Sequence, residues 1–168
     1  MADARTEPGA GRNDATRNDN APAEGVPAED VRTGDVRAVR DELEIRTVLA
    51  RIAQLSDMGD LDDYGAQFTE DAEWEMPGVP PKHGRAEIRA AGAARRAQGA
   101  TGPGSRTRHV VGTVAVTVDG DAAVAESYWQ FYTDTATAPR LHSMGHYRDT
   151  FRRTSQGWKL ARRQITLG

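Results

Sequence analysis

A histidine and an aspartate that lie far apart in the sequence are residue types suited to proton transfer. His109 lies in the segment SRTRHVVG, after a loop rich in glycine and proline. Asp57 ends a long amphipathic segment, just before a turn. A carboxylate that hydrogen-bonds one imidazole nitrogen fixes the tautomer and leaves the other nitrogen free to transfer a proton. We therefore predict that Asp57 and His109 form an acid/base pair.

Each of these two residues also has an ordinary structural interpretation. A strand histidine is often half-buried with a backbone partner, and an aspartate at a helix end often serves as a cap or is solvated. The apolar face of the helix does not bury Asp57, because this residue lies about 140° from the centre of that face at ~100° per residue. Its burial must come from its position at the helix end.

The composition limits the classes of function. A chain of 168 residues has room for one domain with a sizeable core. The absence of cysteine excludes disulfides, thiolate zinc sites and cysteine nucleophiles. The net charge is −3 and the basic residues are interspersed with acidic ones, so no basic field for nucleic acid is present. No apolar run resembles a signal-peptide core or a membrane span, so we expect a cytoplasmic protein that does not bind membranes.

The first 34 residues differ in composition from the rest of the chain. They lack aromatic side chains, and their only large aliphatic residues are Val26 and Val31. This is too little apolar surface to offset the entropy of ordering. We expect residues 1–34 to be a disordered tail, with a partner-binding arm as the alternative, and residues 35–168 to form the domain.

Periodicity predicts the elements that position the pair. A helix is expected from its N-cap Asp35 to Asp57, because one apolar face is built by Ile45, Val48, Leu49, Ile52 and Leu55. Further helices are expected at 61–68 and 86–98, and strands at 70–76, 107–118, 122–133, 141–154 and 158–167. A proline-rich loop interrupts the chain after residue 76, and Asp119-Gly120 predicts a hairpin turn.

Helices followed by an antiparallel meander predict an α+β fold with helices over one face of a sheet. We expect a cone-shaped half-barrel in which the N-terminal helices pack on a curved, mainly antiparallel sheet and enclose a pocket. On strand 122–133, Glu126 and Gln130 mark the solvent side, so the inward residues should be Ala125, Ser127, Trp129 and Phe131. The aromatic residues expected to line the pocket are Trp74, Trp129, Phe131 and Tyr147, although such residues are more often core.

Two further groups of polar residues have simpler explanations. His142 and His146 are four residues apart, but no third ligand accompanies them at a fixed spacing. We therefore predict no metal and no cofactor. Because exposed arginine is the common case, we expect solvated strand charges at Arg152, Arg153, Arg162 and Arg163.

Several segments together resemble a known group of proteins. They are ELEIRTVLARIAQLSDMGDLDDYGAQFTEDAEWEM, HGRAEIR, RTRHVVG, AVAESYWQFY and GHYRDTFRRTSQGWKLARRQI. Over residues 35–168 the chain resembles the SnoaL-like branch of the nuclear-transport-factor-like superfamily. The resemblance implies an α+β cone, commonly dimeric. The superfamily contains scytalone dehydratase, ketosteroid isomerase, limonene epoxide hydrolase, polyketide cyclases and pure binding domains, so the fold alone does not fix the chemistry.

Within that superfamily, SDMGDLD and RTRH resemble two active-site segments of scytalone dehydratase. This resemblance implies that Asp57 and His109 are the catalytic pair. Ser56 stands where that enzyme has one substrate-polarising tyrosine, and Trp74 lies near the position of the other. Both are therefore candidate substrate-binding residues, and His83 is the candidate for a second catalytic histidine.

The sequence therefore predicts a cofactor-independent enzyme that uses Asp57 and His109 for acid/base chemistry on a hydrophobic, oxygenated small molecule. Cyclisation, dehydration and isomerisation, in natural-product biosynthesis, are the expected reactions. The alternative is a non-catalytic small-molecule-binding or assembly domain of the same fold, in which the pair is a buried polar fixture.

A homodimer is also expected, through the sheet. The resemblance implies it, and strand 107–118 carries apolar residues on both faces. In the expected alternation, one face has Val110, Val114 and Val116 and the other has Val111 and Ala115.

Overall fold

The computed structural model describes residues 28–168, with side chains from Val36 onwards. Residues 1–27, most of the predicted tail, lie outside the described residues. The elements are α1 (Ala28–Asp57), α2 (Leu61–Gly65), β1 (Phe68–Met76), β2 (Val79–His83), α3 (Gly84–Ala97), β3 (Arg108–Asp119), β4 (Ala122–Thr133), β5 (Arg140–Thr154) and β6 (Gly157–Leu167). None of the helices in residues 28–168 has an apolar stretch long enough to cross a bilayer.

Three elements differ most from the sequence-based expectation. The helix α1 begins at Ala28, so Asp35 lies inside it and is not its N-cap. The helix α2 ends at Gly65, and the chain is already extended at Phe68. The segment expected to be only a loop contains β2, despite Pro80 and Pro81. Proline is tolerated there because β2 is an edge strand, so fewer of its backbone N–H groups are needed for hydrogen bonds to a neighbouring strand.

The six strands form one open sheet in the order β2-β1-β6-β5-β4-β3. All neighbouring strands are antiparallel except β1 and β6, which are parallel. The helix α1 packs on β3 and β6, and α3 packs on β1. The main core joins the apolar face of α1 to the sheet through buried residues that include Ile45, Leu49, Phe151, Trp158 and Leu160. The predicted α+β half-barrel is confirmed.

A bulge divides β3 into two halves. Gly112 pairs with Tyr128 and Ala115 with Glu126, so β3 has one residue more than β4 over this interval. Thr113, inside the bulge, has a φ of 47°. The extra residue reverses the alternation of side chains. The expected common face of Val110, Val114 and Val116 is therefore wrong, because Val110 is exposed whereas Val114 and Val116 pack on the core.

A buried carboxylate fixes α1 to the hairpin between β5 and β6. Asp41 is 4 % exposed. It accepts hydrogen bonds from Arg153 Nη1 at 2.7 Å, Arg153 Nη2 at 2.5 Å and Trp158 Nε1 at 3.1 Å. The hydrogen bonds from Arg153 hold the pKa of Asp41 at about 2, against the opposing effect of burial.

This low pKa predicts a loss of stability in acid. Because the folded pKa lies below the ordinary value of 3.8, the stabilisation is complete above that value and is lost as the pH falls towards 2. The contribution should be about 2 kcal/mol at neutral pH. Near neutral pH, Asp41→Asn should therefore unfold at a lower urea concentration than the wild-type protein. The difference between the two urea midpoints should be smaller in acid. Asp63→Asn, which removes an exposed carboxylate on α2, is the control. An equal loss of stability at both pH values in Asp41→Asn would contradict the expectation.

Candidate active site

Asp57 and His109 are in direct contact. Their closest side-chain atoms, Asp57 Oδ1 and His109 Nδ1, are 2.6 Å apart. The other carboxylate oxygen, Oδ2, accepts the backbone N–H of His109 at 2.8 Å. One carboxylate therefore fixes both the strand and the ring at this point. Asp57 is 3 % exposed, whereas the half-buried His109 faces a cavity. With Nδ1 held by the carboxylate, Nε2 is the ring nitrogen that can act on a ligand.

The end of α1 places Asp57 behind this histidine. Gly59 follows it closely, and a Cβ at Gly59 would lie 2.8 Å from the Cα of Leu55, so only glycine fits this turn. From α3, Arg96 Nη2 donates to the carbonyl oxygen of Leu55 at 2.5 Å and contacts that of Ser56 at 3.4 Å. A cation at a helix C-terminus is favourable because the carbonyl groups there lack intrahelical partners. Arg96 thus holds the helix end that carries Asp57.

A cavity of about 510 Å³ lies between the helices and the inner face of the sheet. This is within the usual range for small-molecule sites. Its wall includes His109 and all five residues predicted to bind substrate, namely Ser56, Trp74, Trp129, Phe131 and Tyr147. Along β4, the predicted inward positions are buried, with Ala125, Ser127, Trp129 and Phe131 each at most 9 % exposed.

The aromatic side chains form a row on the inner face of the sheet. The ring of Phe131 lies 4.6 Å from that of His109. Next to Phe131 on the same face of β4, Trp129 stacks on Tyr147 with 5.6 Å between centroids and 16° between planes. At the far end of the row, the Arg163 guanidinium lies 4.0 Å from the centre of the Tyr147 ring. A flat ligand could thus contact the row with one end at His109 and the other at Arg163.

The expectation that Arg163 is solvated is wrong. The side chain is 5 % exposed, lines the cavity and makes a two-pronged ion pair with Asp149, which is fully buried. Arg163 Nε donates to Oδ1 at 2.8 Å and Nη2 to Oδ2 at 2.7 Å. The alternation in β5, where Tyr147, Asp149 and Phe151 point inwards, could have indicated a buried carboxylate but not which arginine pairs with it.

The other three strand arginines lie outside the cavity. Arg152 and Arg162 are exposed, as expected. Arg153 is half-buried because it donates to Asp41.

Two tyrosines, Tyr64 and Tyr147, also line the cavity. Burial raises the pKa of Tyr147 to about 12 and also raises the pKa of Tyr64, on α2. Both phenols therefore stay protonated and can donate hydrogen bonds across the physiological pH range. Tyr64 was not among the predicted site residues, because α2 carries no catalytic spacing pattern that would have singled it out.

The other three histidines do not line the cavity. His83 ends β2 on the surface and does not line the cavity. The rings of His142 and Phe131 meet edge to face with 5.9 Å between centroids, and those of His146 and Tyr128 do so at 5.8 Å. Within residues 36–168, no three His, Asp or Glu side chains converge as a metal site would require.

Comparison with known proteins agrees with this fold. The family model described as a SnoaL-like domain matches residues 37–164. An NTF2-like protein with a cystatin-like fold from Novosphingobium aromaticivorans is 30 % identical, with a TM-score of 0.73 over 85 % of this chain and 92 % of that chain. ActVI-ORFA from Streptomyces coelicolor is 27 % identical, with a TM-score of 0.63 over 75 % of this chain and 96 % of that chain.

A protein of unknown function from Mycobacterium tuberculosis is 25 % identical, with a TM-score of 0.66 over 75 % of each chain. No curated protein is similar enough to this chain to match it. The family model covers most of the chain, including both Asp57 and His109. The protein belongs to the family of SnoaL-like domains.

Proposed function

We propose that this protein is a cofactor-independent enzyme that moves a proton on a hydrophobic, oxygenated small molecule. The observation that carries the proposal is the 2.6 Å contact between Asp57 Oδ1 and His109 Nδ1 at the wall of a cavity large enough for a small-molecule ligand. A buried carboxylate behind an imidazole orients the ring and stabilises its protonated form. The cytoplasmic location predicted from the sequence stays a prediction.

The proposed reaction begins with proton abstraction from a carbon next to a carbonyl group. His109 Nε2 takes the proton, and Asp57 stabilises the imidazolium that forms. The electron pair left on the substrate becomes an enolate. The imidazolium then returns the proton to another carbon in an isomerisation, to a departing hydroxyl group in a dehydration, or to the oxygen formed when the enolate closes a ring.

This proposal can be tested with a simple probe, 2-tetralone, a bicyclic ketone with acidic C–H groups beside its carbonyl. In D₂O, the protein should accelerate exchange of these hydrogens, as followed by proton NMR. His109→Gln should lower the enzymatic exchange rate by about 100-fold, since positioned acid/base groups contribute about 10²- to 10⁴-fold. If a panel of enolisable aromatic ketones exchanges equally with both proteins, the pair is not an acid/base catalyst and the binding-domain alternative replaces this proposal.

We also propose that the protein is a homodimer through the outer face of the sheet. Three outward side chains on adjacent strands, Val110, Tyr128 and Met144, are 48, 58 and 43 % exposed. Exposed apolar groups clustered in this way are typical of protein interfaces. Sedimentation at micromolar concentration should give a dimer, and Tyr128→Asp should give a monomer. Leu43→Asp, an exposed position on α1, should remain dimeric. A monomeric wild-type protein would contradict the proposal.

A further inference from the structure

The charges on the cavity wall are of one sign. Four basic side chains line the cavity, at Lys82, Arg95, Arg96 and Arg163, and no carboxylate does. The chain as a whole has a net charge of −3, so this excess of positive charge is local. Among residues 36–168, only Arg163 of these four is paired with a carboxylate, and Arg96 is engaged by carbonyl oxygens at the end of α1.

The buried end of the wall has unused hydrogen-bond donors. Asp149 accepts hydrogen bonds from Nε and Nη2 of Arg163, whereas no described residue accepts one from Nη1. Arg163 as a whole residue is only 5 % exposed, and it lines the cavity. The hydroxyls of Tyr64 and Tyr147 also lack hydrogen-bond partners within the described residues. An arginine and two phenols that donate without an acceptor are suited to an anionic oxygen.

From this arrangement we propose that the ligand of the cavity carries a delocalised oxyanion, such as a carboxylate, that is bound by Arg163 and Tyr147. Its apolar body then lies along Tyr147, Trp129 and Phe131, with the reacting carbon at His109. The inference rests on the proposed function only for the direction in which the ligand lies. The anion site itself depends on Arg163 and Tyr147 and not on the Asp57–His109 pair.

Two flat probes of nearly equal shape test the site, 2-naphthoate and its neutral analogue 2-naphthamide. Titration calorimetry should show that the wild-type protein binds naphthoate at least about tenfold more tightly than naphthamide, since hydrogen bonds to charged groups are the stronger ones. Tyr147→Phe should reduce this preference, and the charge-neutral double variant Asp149→Asn/Arg163→Gln should remove it. Tyr132→Phe is the matched control and should keep the preference, because the hydroxyl of Tyr132 donates to Gln130 Oε1 and the residue does not line the cavity.

His109→Gln separates this inference from the proposed catalysis. The preference for naphthoate should survive in that variant, even though the exchange of 2-tetralone is lost. Loss of the preference in His109→Gln would place the anion at the histidine and overturn the inference. So would equal binding of the two probes by the wild-type protein, or an unchanged preference in Tyr147→Phe and in the double variant. If the double variant does not fold, the comparison of Tyr147→Phe with the control Tyr132→Phe decides between these outcomes.

Discussion

His109→Gln and Asp57→Asn should each lower the rate of proton exchange by about two orders of magnitude or more, and combining them should add little. In Asp57→Asn, the side-chain amide can donate to Nδ1 and so stabilise the tautomer with its proton on Nε2. The nitrogen that faces the cavity would then be a donor and could not accept a proton. In His109→Gln the proton acceptor itself is absent. Because each change disables the same step, the losses should not multiply.

The measurement is the initial rate of 2-tetralone exchange for the wild type, the two single variants and the double variant. These four rates show directly whether the two losses multiply. His146→Gln is the control, because it removes an imidazole from the outer side of the sheet and should leave the rate unchanged. Thermal melts should verify that each variant is folded. Losses that multiply in the double variant would show that the two residues act independently and would contradict their proposed role as one unit.

Arg163→Gln should strongly lower the stability of the fold. It leaves Asp149, which has no exposed surface, without its cation. Breaking a buried ion pair from one side costs about 3–5 kcal/mol, because the remaining charge is neither solvated nor paired. In Asp149→Asn/Arg163→Gln, the two amides can hydrogen-bond across β5 and β6, so most of this loss should be recovered.

Urea unfolding at neutral pH measures this difference. Arg162→Gln is a matched control on the same strand. Arg162 is exposed and pairs with Glu73 and Glu75, so its loss should be under about 1 kcal/mol. If Arg163→Gln is no more destabilised than Arg162→Gln, the Asp149–Arg163 pair does not contribute to stability as its burial indicates.

The contact between Asp57 and His109 was predictable only with the help of the resemblance. The apolar stripe on α1 gives the helix its direction and Gly59 ends it, so the sequence places Asp57 at the helix end. That this helix end meets the strand that bears His109 is what the resemblance implies. Strand β4 was also predictable, because Glu126 and Gln130 fix which of its side chains point inwards.

The role of Arg163 could not be predicted in the same way. Two arginines stand side by side in KLARRQI, and local sequence does not decide which one faces the cavity. The choice depends on the pairing of β6 with β5, where Arg163 comes opposite Asp149. The edge strand β2 was missed for a related reason, since proline disfavours a strand in general but not at an edge where few backbone donors are needed.

The bulge in β3 also has a consequence for how this fold can diversify. One extra residue at Thr113 separates the half-strand that bears His109 from the half-strand whose valines pack on the core. Each half has its own alternation of inward and outward side chains. Side chains around His109 could therefore change with a new ligand while Val114, Val116 and Val118 continue to pack on the core. In this sense β3 consists of two short strands joined end to end, and only the second packs its valines on the main core.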